Sequence, residues 1–226
     1  SPERRTTLTG DVRRHPAFPS RFVRARDVLV WLPPGHADQP RRRYPVLYFH
    51  DGKNVLDAAT SFKGIEWGAD ETGDRLVRSG RLRPFILIAV YDTPDRMAEY
   101  TFDRDARHGG GQGAAYGRFL VEELKPFVDS TYRTLPGPGD TGLVGSSLGA
   151  LISLDLAFEH PDLFGLVGCM SPAAWWGERA TIRRAATVPR PTARVWLDVG
   201  TAEGTVHAGE REWLADARAL RDALLE

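Results

Sequence analysis

From residue 26 onward, short apolar runs alternate with amphipathic stretches. The runs RDVLVWL (26–32), YPVLYFH (44–50), PFILIAVY (84–91), TGLVG (141–145), LFGLVGC (163–169) and ARVWLDV (193–199) are mostly near-continuous in apolar residues. That pattern predicts strands buried on both faces rather than strands with one wet face. Helical spacing appears between them, over 69–79, 114–129, 148–159 and 209–225. In 114–129, Tyr116, Leu120, Leu124, Phe127 and Val128 recur so as to line one face. In 209–225, Trp213, Ala217, Leu220 and Leu224 do the same, leaving Arg211, Glu212, Asp216, Arg218, Arg221 and Asp222 for water. Strands alternating with helices predict an α/β fold, a mostly parallel central sheet with helices on both faces. The polar, proline-dotted stretches 33–43 and 134–140 are short enough to be loops, and no repeat is visible. A length of 226 residues then fits one domain, 1–226.

Composition narrows the functions. Thirty basic and thirty acidic residues cancel, so no global field favours nucleic acid or an anionic membrane as a partner. Arginines cluster at 4–5, 13–14, 21–26 and 41–43, which reads as a solvated N-terminal face. Cys169 is the single cysteine, so an intrachain disulfide and a cysteine metal site are excluded; its apolar surroundings, LFGLVGCM, suit packing. No apolar run approaches the ~20 residues of a membrane helix, and the N-terminus lacks a signal-peptide core. A soluble, cytoplasmic chain is expected.

Within TGLVGSSLGALISLDLAFEH, Ser147 is the centre of Gly-x-Ser-x-Gly. The pentapeptide alone is common, so its context decides. A nucleophile elbow needs a strand, a strained turn and a helix, with small flanking residues where the two backbones nearly touch. TGLVG supplies the strand, Gly145 and Gly149 the flanks, and LGALISLDLAFEH the helix. An oxyanion hole is the second requirement: one donor from the residue after the nucleophile, Leu148, and one from the loop after the third strand of the sheet. Two segments compete for that loop, HGGG at 108–111 and His50-Asp51-Gly52. The element order 44–50, 69–79, 84–91, 114–129, 141–145 puts the loop after His50, which selects Asp51 and Gly52. Residues 109–113 then become a flexible loop, and their resemblance to a dinucleotide turn fails because no strand leads into it.

The segments YFHDGKNVLDAATSFKGIEWGADE, EYT, FLVEELKPFVDSTYRT, GSSLGALISLDLAFEHPDLFG, SPAAWW and DVGTAEG together resemble the esterase family of α/β-hydrolases that includes esterase D-like, enterochelin-esterase-like and feruloyl-esterase-like enzymes. The likeness runs from about residue 20 to the C-terminus. It implies an α/β-hydrolase fold and hydrolysis of a small-molecule carboxylic ester through an acyl-enzyme on Ser147, with no metal or organic cofactor. It also suggests that Trp175 and Trp176 lie near the substrate pocket, although large aromatics serve cores equally well.

Triad order in this fold is Ser, then Asp or Glu, then His. Glu203, in the loop GTAEG, is the preferred acid because catalytic groups collect beyond the carboxyl ends of such strands, and the family pattern places its acid there. Asp198 and Glu178 are the alternatives. The base must be a histidine after Glu203, and only His207 qualifies by order. It precedes the last helix, whereas the family carries its histidine after that helix and one further strand. The expectation is therefore a C-terminally incomplete domain whose base lies beyond Glu226, with His207 in a rearranged site as the alternative. Acyl transfer on the same fold and a non-catalytic binding module are the competing functions.

Overall fold

The computed structural model describes residues 5–188, 192–201, 203 and 210–226. Its strands are β1 (Asp11–Phe18), β2 (Arg26–Leu32), β3 (Val46–Phe49), β4 (Ile86–Val90), β5 (Arg104–Asp105), β6 (Gly109–Gly110), β7 (Thr141–Ser146), β8 (Leu166–Met170) and β9 (Arg194–Asp198). Seven of them form one sheet in the order β1-β2-β4-β3-β7-β8-β9, and β5 and β6 form a separate hairpin. Contacts from β4 through β9 are parallel, while β1 on β2 and β2 on β4 are antiparallel.

All six expected strands are present. Period-two alternation explains how they read as continuous apolar runs: Val28, Val30 and Leu32 of β2 enter one core, and Leu29 and Trp31 enter the other. β1 is an addition. Its sequence, DVRRHPAF, leaves every residue exposed or half-buried, so no apolar signal marks it. Pro16 falls in the register shift between His15 and Phe18, where an edge strand tolerates a missing N–H.

The helices are α1 (Ala69–Arg78), α2 (Arg96–Glu99), α3 (Gly113–Arg118), α4 (Lys125–Thr131), α5 (Leu148–Glu159), α6 (Trp176–Ala185) and α7 (Glu210–Leu225). A π-helical segment, Phe119–Leu124, joins α3 to α4; it stops just before Pro126, which has no N–H to return to the helix. Tyr116, Leu120, Leu124 and Val128 of this run are fully or almost fully buried against the sheet. α5 is apolar all round and buries residues 148 to 157, which makes it the central helix of the larger core. Leu220 of α7 enters that same core. α1 covers the other face, where Gly73 lies so close to Trp31 that a β-carbon would stand 3.0 Å from the indole.

α6 is the second addition. Gly177, Glu178 and Arg179 all have positive φ, so its first turn is left-handed and helical periodicity cannot announce it. Toward β9 the α1 face of the sheet is less covered: a groove there is lined by Leu47, Val144, Gly168 and Trp196, and Trp196 is 69 % exposed. Among the described residues no helix is long and apolar enough to cross a membrane.

Candidate active site

Ser147 joins β7 to α5 with φ 59° and ψ −119°, a combination that costs a non-glycine residue of order 1–3 kcal/mol. The glycine at 145 is required by contact. A β-carbon on Gly145 would stand 2.3 Å from the Gly149 carbonyl oxygen, closer than any packing permits. The turn is pinned from both sides: the Ser147 N–H donates to Met170 O at 3.0 Å, and its carbonyl accepts from Ala150 and Ala173. Leu148 opens α5 and is almost fully buried.

The loop after β3 lies against this turn. A β-carbon on Gly149 would meet His50 Cβ and Asp51 Oδ2, each at 3.4 Å. Asp51 is left-handed, with φ 55° and ψ 42°. Gly52 presses on β4, where a β-carbon would lie 2.6 Å from the Ala89 carbonyl carbon. Polar groups beneath hold the loop in place. Arg96 donates to both Asp51 carboxylate oxygens, at 2.5 and 2.8 Å, and Tyr116 Oη lies 2.9 Å from His50 Nδ1. Arg26 makes a buried pair with Glu99 at 2.7 and 2.9 Å. The Asp51 N–H donates to Tyr100 Oη at 3.0 Å. That bond occupies the Asp51 amide.

Burial above all, followed by Arg96 and Arg26, pushes the His50 imidazole down to about 3, so it is neutral at physiological pH. Sequence motifs did not single out Arg96, Tyr100, Tyr116 or Ser171 as site residues. Tyr100 falls in the EYT segment and Ser171 in the SPAAWW segment of the family likeness, and Tyr116 lies on the apolar face of 114–129, while Arg96 carries no signal.

Among the acid candidates, Glu203 is half-buried and accepts a hydrogen bond from Ser171 Oγ at 2.5 Å. Ser171 directly follows Met170, the residue that pairs with Ser146 and receives the Ser147 N–H. Glu203 is thus tied to the strand end beside the elbow. Asp198 is exposed and accepts from Trp196 Nε1, and Glu178 is exposed in the left-handed turn of α6. His207 lies outside the described residues. Among the described residues no histidine is hydrogen-bonded to Ser147 or Glu203: His15 meets Tyr132, His50 meets Tyr116 and His108 meets Asp105.

The glycine-rich segment forms the β5–β6 hairpin instead of an open loop. Asp105 accepts from the backbone N–H groups of Arg107 and His108 and lies 2.8 Å from His108 Nδ1. The His108 ring sits 5.5 and 5.7 Å from those of Trp175 and Trp176. Trp176 is a core residue, 4 % exposed, with its indole N–H donated to Asp103 O; packing explains it without a pocket. Trp175 stays half-exposed and stacks on Trp176 and Trp213. A cleft of about 450 Å³ beside the loop is lined by Asp51, Lys53, Asn54, Phe62, Asp92 and Arg96.

Several known proteins resemble this chain in sequence or fold. The enterobactin esterase FES of Shigella flexneri, whose structure was determined in the presence of enterobactin, superposes with a TM-score of 0.76 at 18 % identity over 96 % of this chain. The chain spans about half of that protein, 51 % of its length. An uncharacterized protein of Bacillus subtilis, YbbA, is 24 % identical over 97 % of this chain and 83 % of its own length. The ferri-bacillibactin esterase BesA of the same organism is 26 % identical over 64 % of this chain and 53 % of its own length. The fold is that of the α/β-hydrolases, and with residues 20–223 matched by the model of the family described as "Putative esterase", the chain belongs to that esterase family.

Proposed function

We propose that this protein is a serine carboxylesterase acting on a small-molecule ester, with Ser147 as nucleophile. The observation that carries the reading is the strained backbone of Ser147 between β7 and α5. A turn this unfavourable, with a glycine forced at 145, is kept where it aims a hydroxyl. In the first step Ser147 Oγ attacks the ester carbonyl and its proton passes to a histidine base. The tetrahedral oxyanion is held by the N–H groups of Leu148 and Gly52, and the alcohol leaves as the base returns the proton. Water then attacks the acyl-enzyme by the same route. Glu203 orients the base and stabilises its charged form; Ser171 holds Glu203 in place. By chain order His207 is the candidate for that base.

Substrate approaches beside the cleft of Lys53, Asn54, Phe62 and Arg96. The names of FES, an enterobactin esterase, and BesA, a ferri-bacillibactin esterase, make enterobactin and bacillibactin sensible first substrates. The test is labelling with a fluorophosphonate, followed by peptide mapping and p-nitrophenyl ester turnover by Ser147→Ala. Modification of Ser147, and a fall of at least ~10³ in turnover in the variant, is expected. Labelling elsewhere, or turnover unchanged in Ser147→Ala, overturns the assignment.

A further inference from the structure

The run His108-Gly109-Gly110-Gly111 lies outside the loop after β3, yet its glycines are needed. All three have positive φ, and a β-carbon on Gly110 would stand 2.7 Å from the Trp176 ring. Glycine therefore lets the β5–β6 hairpin lie directly on Trp176. What the hairpin presents is His108, and Asp105 fixes it there. Asp105 Oδ1 accepts from the N–H groups of Arg107 and His108, at 2.9 and 3.0 Å, and lies 2.8 Å from His108 Nδ1. Asp105 Oδ2 accepts from the Gly177 N–H at 3.2 Å. Burial works against charge on Asp105, but these bonds hold it down to about 2. The carboxylate is thus ionised and can only accept, so Nδ1 carries the proton that joins the two.

Sheet order and one short segment bring that histidine toward the nucleophile. β7 lies between β3 and β8, so Ser147, at the end of β7, has the loop after β3 on one side and the segment after β8 on the other. An ester held at Ser147 extends to both sides. The cleft of Lys53 and Asn54 lies on the β3 side. On the β8 side the chain runs from Ser171, which holds Glu203, through Ala173, whose N–H donates to Ser147 O at 3.3 Å, to Trp175. His108 packs on Trp175, with ring centroids 5.5 Å apart. Trp176 is fixed by its bond to Asp103 O, whereas the Trp175 indole N–H is buried without an acceptor, a cost that packing does not explain.

We propose that His108 is a specificity-determining residue of the Ser147 site: its Nε2 accepts a hydrogen bond from a hydroxyl on the part of the substrate that extends to the β8 side, and Trp175 receives the apolar portion beside it. The proposal rests on the reading of Ser147 as nucleophile and adds a substrate class to it, esters that carry a hydroxyl away from the ester bond. With the Nδ1–H given to Asp105, a neutral imidazole offers Nε2 as an acceptor. The His108 side chain is 45 % exposed, so substrate can reach it, and among the described residues Nε2 has no partner. Histidine suits the place because its apolar body packs on indole while its far nitrogen stays polar. A hydroxyl set against Nε2 exchanges a hydrogen bond to water for one to the protein, which is worth a several-fold preference and no more.

The test measures kcat/KM of the full chain for p-nitrophenyl benzoate and for its m- and p-hydroxybenzoate counterparts. The readout is the hydroxylated-to-plain ratio, because comparing that ratio between parent and variant cancels the reactivity of each ester. His108→Ala is expected to lower it about 3–10-fold for at least one isomer, while His108→Gln, which keeps an acceptor oxygen, retains part of it. Asp105→Asn, which frees the ring, is expected to lower it as well. Arg107→Ala, exposed on the same turn, is the control and leaves the ratio unchanged. The Tm of each variant, and fluorophosphonate labelling of its Ser147, show that fold and nucleophile are intact. A ratio in His108→Ala equal to that of the parent for both isomers, or an equal fall in Arg107→Ala, overturns the proposal. Absence of label on Ser147 overturns the nucleophile reading instead, so the two failures are told apart.

Discussion

Ser147, Glu203 and His50 show how the same backbone edge sets three side chains to different tasks. The Glu203 carboxylate accepts from Ser171 Oγ, which fixes its orientation. Glu203→Gln keeps the size but loses the charge that stabilises a protonated base. It should lower kcat by about 10²–10⁴ while KM moves little, as steady-state kinetics on a p-nitrophenyl ester would show. His50 stands next to the elbow and invites the role of base, but its burial argues against it. Its folded pKa, about 3, lies below the ordinary 6.5, so the unfolded chain binds more protons between those values. The His50 contribution to stability is therefore complete above pH 6.5 and is lost as pH falls toward 3. Nitrogen NMR should find the His50 imidazole neutral at pH 5; a midpoint near 6.5 would contradict the buried geometry.

At the scale of elements, the loop after β3 owes its shape to groups from two other segments. Arg96 and Tyr100, in and just after α2, hold the Asp51 side chain and N–H, and Tyr116 of α3 holds His50. Arg96→Ala leaves the Asp51 carboxylate buried without its partner, a loss of about 3 kcal/mol. Urea denaturation should register it, with kcat falling more than KM rises as the loop loses its left-handed anchor. Arg96→Lys should not restore both effects, since an ammonium cannot reproduce the two-pronged contact. This network also marks where the sequence stopped being legible. The strands over 26–32 and 84–91 were readable because both faces are buried, and the elbow because contact forces a glycine at 145 beside a serine between strand and helix. β1 carries only edge polarity, and α6 begins with the wrong hand. The Arg96, Tyr100 and Tyr116 contacts join positions 45 to 66 residues away from their partners, and no local pattern encodes such a meeting.

Across the whole molecule, the sheet is thickly covered on the α5 side and thinly near β9, where Trp196 stands exposed beside Val195. The strained turn sits at the β7–α5 junction, pinned by hydrogen bonds to Met170, Ala150 and Ala173. Ser147 has φ 59° and ψ −119°, values that glycine accepts freely and serine does not. Ser147→Gly should therefore melt at a higher temperature than Ser147→Ala, and above the parent protein, by an amount corresponding to about 1 kcal/mol. Scanning calorimetry of the three proteins would show it, and a glycine variant no more stable than the alanine one would remove the strain from the account. If the ordering holds, selection for activity and selection for stability pull in opposite directions at this position, and a lineage that lost its need for the reaction would be expected to drift to glycine here first.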